Sequence, residues 1–467
     1  MTCSSSGLSF HRQLFVFQYI TSGVSVKFVR SVAIRFKGNT LNVHEISNSR
    51  AFQETLSLRG QCKELWMKKR VAVVFGSRSV EHEVSIITAV QAMNSLDEEQ
   101  FEAVPLYVSK EGVWFTGEAL KTMDVFCDLV SLPGKVQRVQ LQPFAGKTTF
   151  VVPASHRGFM GRGIDVEPLA VDVALLCNHG TNGEDGTMQG MFELLGIPYT
   201  SAGVTGSALG MDKVFQKQLF VAAGIPVVPY VSFSRRTWRA SPDDCLRAAE
   251  QRLHFPMFVK PANLGSSVGI TRATDHDTLR YALEVASQFD RKLLVEQAVV
   301  HHREVNCAVL GNDDPIPSAC EEVFSSRAFL DYDAKYKVGY KTTAGSDSGI
   351  QKAEARKVPA NLGDDLTHRV QELACRAFTT LDCRGVARVD FLIDESGAVY
   401  VNEINTIPGA LSFYLWEAVG MQYRDLLTKL IDLACKAFED RRSNVVSYDV
   451  SDLLRLGSEG KSGTKNV

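Results

Sequence analysis

Residues 385–409 constrain the fold more than any other stretch of this 467-residue chain. A run rich in β-branched residues ends at Ile393, Asp-Glu-Ser-Gly follows at 394–397, and a second such run begins at Ala398. Two runs of this kind, joined by a short turn that contains Ser-Gly, predict a β-hairpin.

Pairing Ile393 with Ala398 sets the register that we expect for this hairpin. Because side chains alternate along a strand, this register predicts that four polar side chains share one face. Carboxylate and amide oxygens are costly to bury without a partner, and they suit Mg²⁺, which usually accompanies phosphate. The chain is therefore expected to handle ATP. The register places Arg388 opposite Glu403 and Asp390 opposite Val401, with Asn405 on the same face.

The composition excludes several classes of function. Apolar residues make up 45% of the chain and the formal net charge is −2, which indicates a globular protein without the basic excess typical of nucleic-acid binding. No apolar run approaches the roughly 18 residues that span a bilayer. The ten cysteines form no Cys-x-x-Cys pair and the ten histidines show no zinc spacing. This pattern indicates a reducing compartment, without a disulfide framework.

The first 66 residues differ from the rest. Acidic residues are absent before Glu45, whereas basic and hydroxyl residues are frequent, which is typical of an organelle transit peptide. Alternatively, translation begins at Met67, directly before a strand at 71–75, and we expect the extension to be non-functional. The polar residues 441–467 are expected to form a flexible tail.

The order of strands and helices predicts three domains between these segments. Alternating strands and helices over residues 67–202 indicate an α/β domain with a Rossmann-like parallel sheet. Residues 203–296 indicate a smaller α+β domain, and residues 297–440 a third domain that contains the hairpin. The fold class is therefore mixed α/β and α+β.

Three loops carry candidate chemistry, each with a plainer alternative. The loop at 263–269 follows a strand with Lys260, and its small residues let N–H groups approach phosphate, although a tight hairpin would use the same residues. His179 ends a strand, where a lone histidine is more often structural. The polar stretch at 331–360 predicts a mobile lid or a disordered insertion.

Taken together, these motifs resemble the ATP-grasp superfamily and, within it, the D-alanine–D-alanine ligases. The resemblance covers about residues 68–440 and rests on seven motifs in order. They are Glu-His-Glu-Val-Ser at 81–85, His-Gly at 179–180 with Gly-Glu-Asp-Gly at 183–186, Met-Asp-Lys at 211–213, Val-Lys-Pro at 259–261 with Gly-Ser-Ser-Val-Gly at 265–269, Asp-Tyr-Asp-Ala-Lys-Tyr at 331–336, Gly-Val-Ala-Arg-Val-Asp at 385–390, and Asn-Glu-Ile-Asn-Thr-Ile-Pro-Gly at 402–409.

The resemblance implies a three-domain ATP-grasp architecture, with ATP between the second and third domains. The implied nucleotide contacts are Lys213 and Lys260 for the phosphates, Ser267 in the phosphate loop, Glu296 for the adenine amino group and Glu304 for the ribose. The implied ligands of two Mg²⁺ ions, with Mn²⁺ as the alternative metal, are Asp390, Glu403 and Asn405.

The resemblance also implies ligation through an acyl phosphate, in which ATP activates one D-alanine and the amine of a second attacks it. The product is D-alanyl-D-alanine for peptidoglycan. The implied catalytic groups are Glu81 for the first ammonium, Ser266 and Tyr336 linked to it, Arg388 and the Gly409 N–H for the oxyanion, and Lys335 for the phosphoryl group. Further substrate contacts are expected from His179, Ser412 and Tyr414.

The acceptor and the partners are less constrained. Tyr336 favours an amine acceptor over D-lactate, but D-serine stays open, because Tyr414 stands near a position where many relatives carry serine. The lid at 337–357 is also longer than in many relatives. The rival function is a non-catalytic nucleotide-binding protein, which would lack D-alanine-dependent ATP turnover. We expect a cytoplasmic homodimer, or a plastid protein if residues 1–66 are a transit peptide, that binds neither nucleic acid nor membrane.

Overall fold

The computed structural model describes residues 34–36, 39–41, 68–129, 131–141, 150–153, 166–265, 268–324 and 356–445. The chain forms two units, residues 1–68 and residues 69–467. In the first unit, β1 (Ile34–Phe36) pairs antiparallel with β2 (Asn39–Leu41). The described residues of the second unit form three sheets. Within the described ranges, no helix is both long and apolar enough to cross a membrane.

The first of these sheets has seven strands in a mixed arrangement. They are β3 (Lys69–Gly76), β4 (Phe101–Val108), β5 (Trp114–Thr116), β6 (Gln137–Leu141), β7 (Phe150–Pro153), β8 (Val166–Leu169) and β9 (Val173–Leu176). The spatial order is β8–β7–β6–β5–β4–β3–β9. As expected, β3 is parallel to β4 and β9, but the pairs from β4 to β8 are antiparallel. The short link between β4 and β5 explains why this first pair is antiparallel, since a parallel crossover needs about a dozen residues or more.

Helices flank this sheet and complete its core. They are α1 (His82–Ser95) and α2 (Thr187–Leu195), with 3₁₀ turns at Glu118–Lys121, Met123–Cys127 and Leu132–Gly134. Strand β3, which lies between β4 and β9, is fully buried from Val71 to Phe75, as the apolar sequence of that stretch predicts.

A second, antiparallel sheet follows two connecting helices. The elements are α3 (Val204–Met211), α4 (Lys213–Ala222), β10 (Tyr230–Ser234), α5 (Arg235–Ala240), α6 (Pro242–Glu250), β11 (Met257–Pro261), β12 (Thr271–Ala273), α7 (His276–Phe289) and β13 (Lys292–Gln297). The four strands lie in the order β10–β13–β11–β12. Apolar residues of α6 and α7 pack against the sheet and form a separate small core.

The third sheet has five antiparallel strands and carries the hairpin. Its elements are β14 (Arg303–Gly311), β15 (Ile316–Val323), β16 (Arg356–Lys357), α8 (Asp364–Thr380), β17 (Gly385–Ile393) and β18 (Val399–Asn405), followed by a 3₁₀ segment at Gly409–Ser412, α9 (Phe413–Glu417) and α10 (Tyr423–Arg442). The order is β16–β15–β14–β17–β18. Helix α8 covers the apolar face, so polar side chains lie on the other. The boundaries of the three proposed domains stay predictions.

The hairpin exists, but its register differs from the predicted one. Ile393 pairs with Val399 rather than with Ala398, because the carboxylate of Asp394 accepts the Ala398 N–H at 2.9 Å and lengthens the turn by one residue. That shift alone would turn the polar side chains of β18 to the opposite face. A β-bulge at Asn402 adds a second residue and reverses the effect. The resulting pairs are Asp390 with Glu403 and Arg388 with Asn405, so the predicted common face is confirmed.

Candidate active site

The polar face of the β17–β18 hairpin carries a network of charged hydrogen bonds. Arg388 donates from Nε and Nη2 to the two carboxylate oxygens of Asp390, at 2.6 and 2.8 Å. Asn405 donates from Nδ2 to the same carboxylate at 3.2 Å. Burial alone would lower the pKa of Arg388, but the Asp390 carboxylate raises it well above its usual range. The guanidinium is therefore charged, and the bidentate pair fixes its orientation.

Helix α4 brings a lysine to this hairpin. Nζ of Lys213 lies 3.1 Å from Oε2 of Glu403 and donates to the Leu264 carbonyl oxygen at 2.9 Å. Lys213 is the first residue of α4, because the side chain of Asp212 accepts two backbone N–H groups and caps the helix there. Burial alone would lower the pKa of Lys213, whereas Glu403 raises it. The lysine is therefore held as a cation next to the hairpin carboxylates.

A buried triad lies beside this pair. Oε1 of Glu296 is 2.6 Å from Nζ of Lys217, and Oε2 is 2.5 Å from Nζ of Lys260. Burial alone would raise the pKa of Glu296, but the two lysines lower it to about 2. Burial lowers the pKa of Lys217. The sequence prediction missed Lys217, although a residue four positions after Lys213 lies on the same helix face.

The bulged residue Asn402 joins this triad to the hairpin. Its Oδ1 accepts from Nζ of Lys260 at 3.3 Å, and its carbonyl oxygen accepts from Nζ of Lys217 at 3.5 Å. In the predicted register, which has no bulge, Asn402 would lie on the apolar face, so the sequence prediction gave it no role. As the bulged residue of the observed hairpin, Asn402 instead contacts both lysines.

Two acidic side chains face the hairpin from the loops of the seven-stranded sheet. Glu81 directly precedes α1 and is 4% exposed, and a Cβ at Gly180 or Gly265 would come within 2.5 or 2.8 Å of its Oε2. These glycines let two backbone segments approach the carboxylate. Burial, and then the charge of Glu81, raises the pKa of Glu184. Both carboxylates line one pocket with Lys213, so acidic and basic groups meet there.

Residues 406–412 form a strained turn directly after β18. Ala410, Leu411 and Ser412 have φ angles of 49°, 53° and 52°, in the left-handed region. This conformation costs an L-residue about 1–2 kcal/mol. Leu411 is 2% exposed and belongs to the core that also contains β3 and α1, so its burial offsets part of the strain. The predicted oxyanion donor Gly409 is the residue that immediately precedes the left-handed segment.

His179 connects this turn to helix α1. Its Nδ1 lies 2.8 Å from the carbonyl oxygen of Ile407, and its Nε2 lies 2.8 Å from Oγ1 of Thr88. Burial lowers the pKa of His179 to about 4, so the ring is neutral near pH 7. Both ring nitrogens thus have partners within the protein, which is the plainer of the two readings that the sequence allows. The sequence prediction missed Thr88, which is buried on helix α1 among mostly apolar residues.

Ser412, at the end of the turn, and Tyr414, just after it, were expected to contact substrate. The Tyr414 hydroxyl donates to Oε2 of Glu321 at 2.9 Å, and Nη1 of Arg356 lies 3.3 Å from Oε1 of the same carboxylate. Burial and the charge of Glu321 raise the pKa of Tyr414. Ser412 is fully buried, and its hydroxyl has no hydrogen-bond partner among the described residues. The structure therefore groups Tyr414 with Glu321 rather than with Ser412.

The remaining predicted residues lie in several places. Glu304 is a partly exposed residue of β14, with Oε1 3.4 Å from Nε2 of His302. Four predicted residues lie outside the described part of the chain, and their roles stay predictions. These are Ser266, Ser267, Lys335 and Tyr336.

The hairpin face offers a donor set that fits a hard divalent cation. Among the described residues, no three His, Cys, Asp or Glu side chains are grouped as metal ligands. Asp390 and Glu403 nevertheless are cross-strand partners, and Asn405 contacts Asp390. Two carboxylates and an amide are oxygen ligands of the kind that Mg²⁺ and Mn²⁺ accept, with the remaining positions filled by phosphate and water.

Comparison with known proteins identifies the family. The family model described as D-ala D-ala ligase N-terminus matches residues 70–202, and the one described as D-ala D-ala ligase C-terminus matches residues 219–432. The D-alanine–D-alanine ligase of Geobacillus thermodenitrificans is 36% identical over 389 residues, which cover 82% of this chain and 100% of that protein. The chain belongs to the D-alanine–D-alanine ligase family. The ligase of Ruminiclostridium cellulolyticum is 39% identical over 80% of this chain and 97% of its own length.

Solved structures of this family share the fold. The D-alanine–D-alanine ligase from Coxiella burnetii superimposes with a TM-score of 0.66 at 28% identity, covering 80% of this chain and 96% of the other. The VanG D-Ala:D-Ser ligase from Enterococcus faecalis gives a TM-score of 0.65 at 32% identity, covering 79% and 100%. The predicted ATP-grasp fold class and family are therefore confirmed.

Proposed function

We propose that this chain uses ATP to join two D-alanine molecules into D-alanyl-D-alanine, a precursor of peptidoglycan. The observation that carries the proposal is the hairpin face, where Arg388, Asp390 and Glu403 lie in one contact network with Lys213. The pocket beside it is also lined by Glu81. Carboxylates, a guanidinium and lysines in one site suit the transfer of a phosphoryl group to a small amino acid. The names of the relatives agree with this chemistry.

The nucleotide end of the site is built from helix α4, the second sheet, strand β14 and the hairpin. Lys213 and Lys260 neutralise the phosphates of ATP, while Glu296 and Glu304 contact the adenine and the ribose. Asp390, Glu403 and Asn405 would hold the magnesium, in two ions by our proposal. When bound, Mg²⁺ neutralises phosphate charge and aligns the transferred group.

At the amino-acid end, Glu81 binds the ammonium group of the first D-alanine. A carboxylate oxygen of this D-alanine attacks the γ-phosphorus, ADP leaves, and a D-alanyl phosphate forms. The amine of the second D-alanine then attacks the carbonyl carbon, and phosphate leaves with that carboxylate oxygen. Arg388 and the Gly409 N–H stabilise the oxyanion, and such donors are typically worth about 3–4 kcal/mol each.

The lid residues complete this proposal. Lys335 contacts the phosphoryl group in transfer, and Ser266 and Tyr336 connect to Glu81. A closed lid protects the acyl phosphate from water.

D-serine is the second candidate for the acceptor. The observation in its favour is the 32% identity to the solved structure of the VanG D-Ala:D-Ser ligase. Tyr414, whose hydroxyl donates to Glu321, also stands near the position where the family resemblance leads us to expect a serine that contacts the acceptor carboxylate. Tyr336 favours an amine over D-lactate, so either amino acid fits the proposed chemistry.

The test measures ADP release with D-alanine, with L-alanine, and with D-alanine plus D-serine or D-lactate, and identifies each product by mass. We expect ADP and D-alanyl-D-alanine with D-alanine alone. A mixed product that forms much faster than D-alanyl-D-alanine would favour the second amino or hydroxy acid as the acceptor. ATP binding without turnover on any amino acid would refute the ligase and support a nucleotide-binding protein.

We also propose a homodimer in the cytoplasm. Sedimentation of the purified chain would measure its assembly, and fractionation of the source cells would measure its location. A monomeric mass, or recovery in plastids, would contradict these two proposals.

A further inference from the structure

The strained turn after β18 is held by side chains that are distant in the sequence. Both backbone polar groups of Ile407 are engaged by the loop between β9 and α2. Its N–H donates to Oε1 of Glu184 at 3.0 Å, and its carbonyl oxygen lies 2.8 Å from Nδ1 of His179, 228 residues away. Glu184 also accepts the Gly180 N–H, at 2.8 Å, which closes the loop on itself. One loop thus fixes the orientation of the Ile407 peptide groups.

Helix α1 supplies a third contact through Thr88, which is fully buried. The carbonyl oxygen of Ile407 can only accept, so Nδ1 of His179 carries the ring proton and Nε2 accepts from the Thr88 hydroxyl. The Thr88 oxygen in turn accepts the Ala410 N–H at 3.1 Å. A continuous series of hydrogen bonds therefore runs from Ile407 through His179 and Thr88 to Ala410. It spans the two sides of Gly409.

We propose that Thr88, His179 and Glu184 are positioning residues that hold the left-handed turn and thereby place the Gly409 N–H for the ligation. This inference rests on the proposed function, because it concerns the oxyanion donor of that reaction. Strained backbone persists only where its surroundings determine it, and it occurs often at functional sites. Ala410, Leu411 and Ser412 are not glycines, so the sequence of the turn does not itself favour positive φ.

Burial and hydrogen bonding contribute differently to this arrangement. The apolar side chains of Ile407 and Leu411 lie in the core and anchor the turn in place. Apolar packing is non-directional, so it does not determine where a peptide N–H points. The three polar contacts are directional, and we infer that they determine the orientation of the peptides on both sides of Gly409.

The test compares Thr88→Val, which keeps the shape of the side chain but removes the hydroxyl, with Thr88→Ser, which keeps the hydroxyl. Amide hydrogen exchange of the full chain gives a readout that does not depend on activity. We expect faster exchange in peptides that cover residues 406–412 of the valine variant, and wild-type exchange in the serine variant. Thr428→Val on α10 is the matched control, because among the described residues this hydroxyl bonds only the Arg424 carbonyl of its own helix.

Kinetics supply the second readout. In Thr88→Val we expect kcat to fall about 10- to 100-fold, because small displacements of a positioned group have effects of this size. KM for ATP should be unchanged. The serine variant should recover most of kcat. A proportional loss of ATP binding, exchange that increases over the whole chain, or a serine variant as impaired as the valine variant would overturn the inference.

Relief of the strain gives an independent check. Ala410→Gly removes the steric cost of a positive φ, so we expect the Thr88→Val change to alter exchange at 406–412 differently in the Ala410→Gly background than in the wild type. Strictly additive effects of the two substitutions on exchange would contradict the inference that the three side chains hold the turn against this strain. A wild-type chain without D-alanine-dependent ADP release would refute the proposed function instead. The exchange pattern would still decide whether Thr88, His179 and Glu184 hold the turn.

Discussion

The hairpin at 385–405 and the turn at 406–412 are adjacent in the chain, yet they obtain their geometry in different ways. The hairpin is a ladder within its own sheet, and strand alternation places Arg388, Asp390 and Glu403 on one face. The turn has a left-handed backbone and is supported by side chains from the seven-stranded sheet and its helix α1. Charged groups can thus be positioned within one hairpin, by strand pairing and a bulge, whereas a backbone donor in a strained turn needs support from outside.

The largest expected effect comes from the hairpin. Asp390→Asn removes a proposed metal ligand and the bidentate partner of Arg388, so we expect the D-alanine-dependent kcat/KM for ADP release to fall about 10³-fold or more. The exposed Glu395→Gln in the turn of the same hairpin is the control and should keep wild-type kinetics. If Asp390→Asn kept more than a tenth of the activity, the hairpin would not be the centre of the chemistry.

Arg388→Lys tests the geometry of the same face with the charge retained. A lysine cannot reproduce the two parallel N–H bonds to Asp390, so we expect kcat to fall about 10²-fold. The affinity for ATP should change little, because the nucleotide phosphates are assigned to Lys213 and Lys260. Measurement of kcat alongside ATP binding separates the two steps. An unchanged kcat would argue that charge, and not orientation, is what the hairpin supplies.

Because His179 contacts the turn from outside, we expect the stability of the protein to depend on pH. The pKa of His179 is lowered from 6.5 to about 4, so the unfolded chain binds the proton more readily than the folded one. The contribution of neutral His179 to the free energy of unfolding is complete above about pH 6.5. It decreases by at most about 3 kcal/mol as the pH falls to about 4.

Urea unfolding at several pH values measures this loss. Comparison with His179→Asn isolates it, because the asparagine does not titrate and can still donate to the Ile407 carbonyl. The free energy of unfolding of the wild type should therefore decrease more steeply between pH 6.5 and pH 4 than that of the variant. Parallel curves would show that His179 does not couple the turn to pH.

The smallest expected effect is the relief of strain at one residue. Ala410→Gly should raise the free energy of unfolding by up to about 1 kcal/mol, because the steric cost of positive φ exceeds the extra entropy of glycine in the unfolded chain. Ala208→Gly, inside the regular helix α3, should instead lower it by about 1 kcal/mol. Urea unfolding of both variants measures this contrast. Equal destabilisation by both would mean that the turn is not strained.

The sequence predicted the regular parts of the molecule well, because those parts depend on local patterns. The strand predicted at 71–75 lies within β3, and the polar face of the hairpin was predicted although its register was not. The error arose because Asp394 hydrogen-bonds within the turn and Asn402 forms a bulge. The bulge has no glycine or proline signal, and the two one-residue shifts cancel.

The support of the turn could not be predicted, for two physical reasons. Ala-Leu-Ser at 410–412 has none of the residues that favour a left-handed backbone, so nothing local announces it. Thr88 and Ala410 are 322 residues apart, and their contact depends on the packing of α1 against the turn. The family resemblance indicated His179 and Gly409 as site residues, but it gave no reason to connect them.

The most direct measurement of the central claim follows the oxygen atoms of the reaction. The hairpin is proposed to activate a D-alanine carboxylate by transfer of the γ-phosphoryl group. With D-alanine labelled by ¹⁸O in its carboxylate, we predict that the released phosphate carries one labelled oxygen and that ADP carries none. Phosphate without label, in a reaction that still yields D-alanyl-D-alanine, would contradict the acyl phosphate and the role proposed for the hairpin.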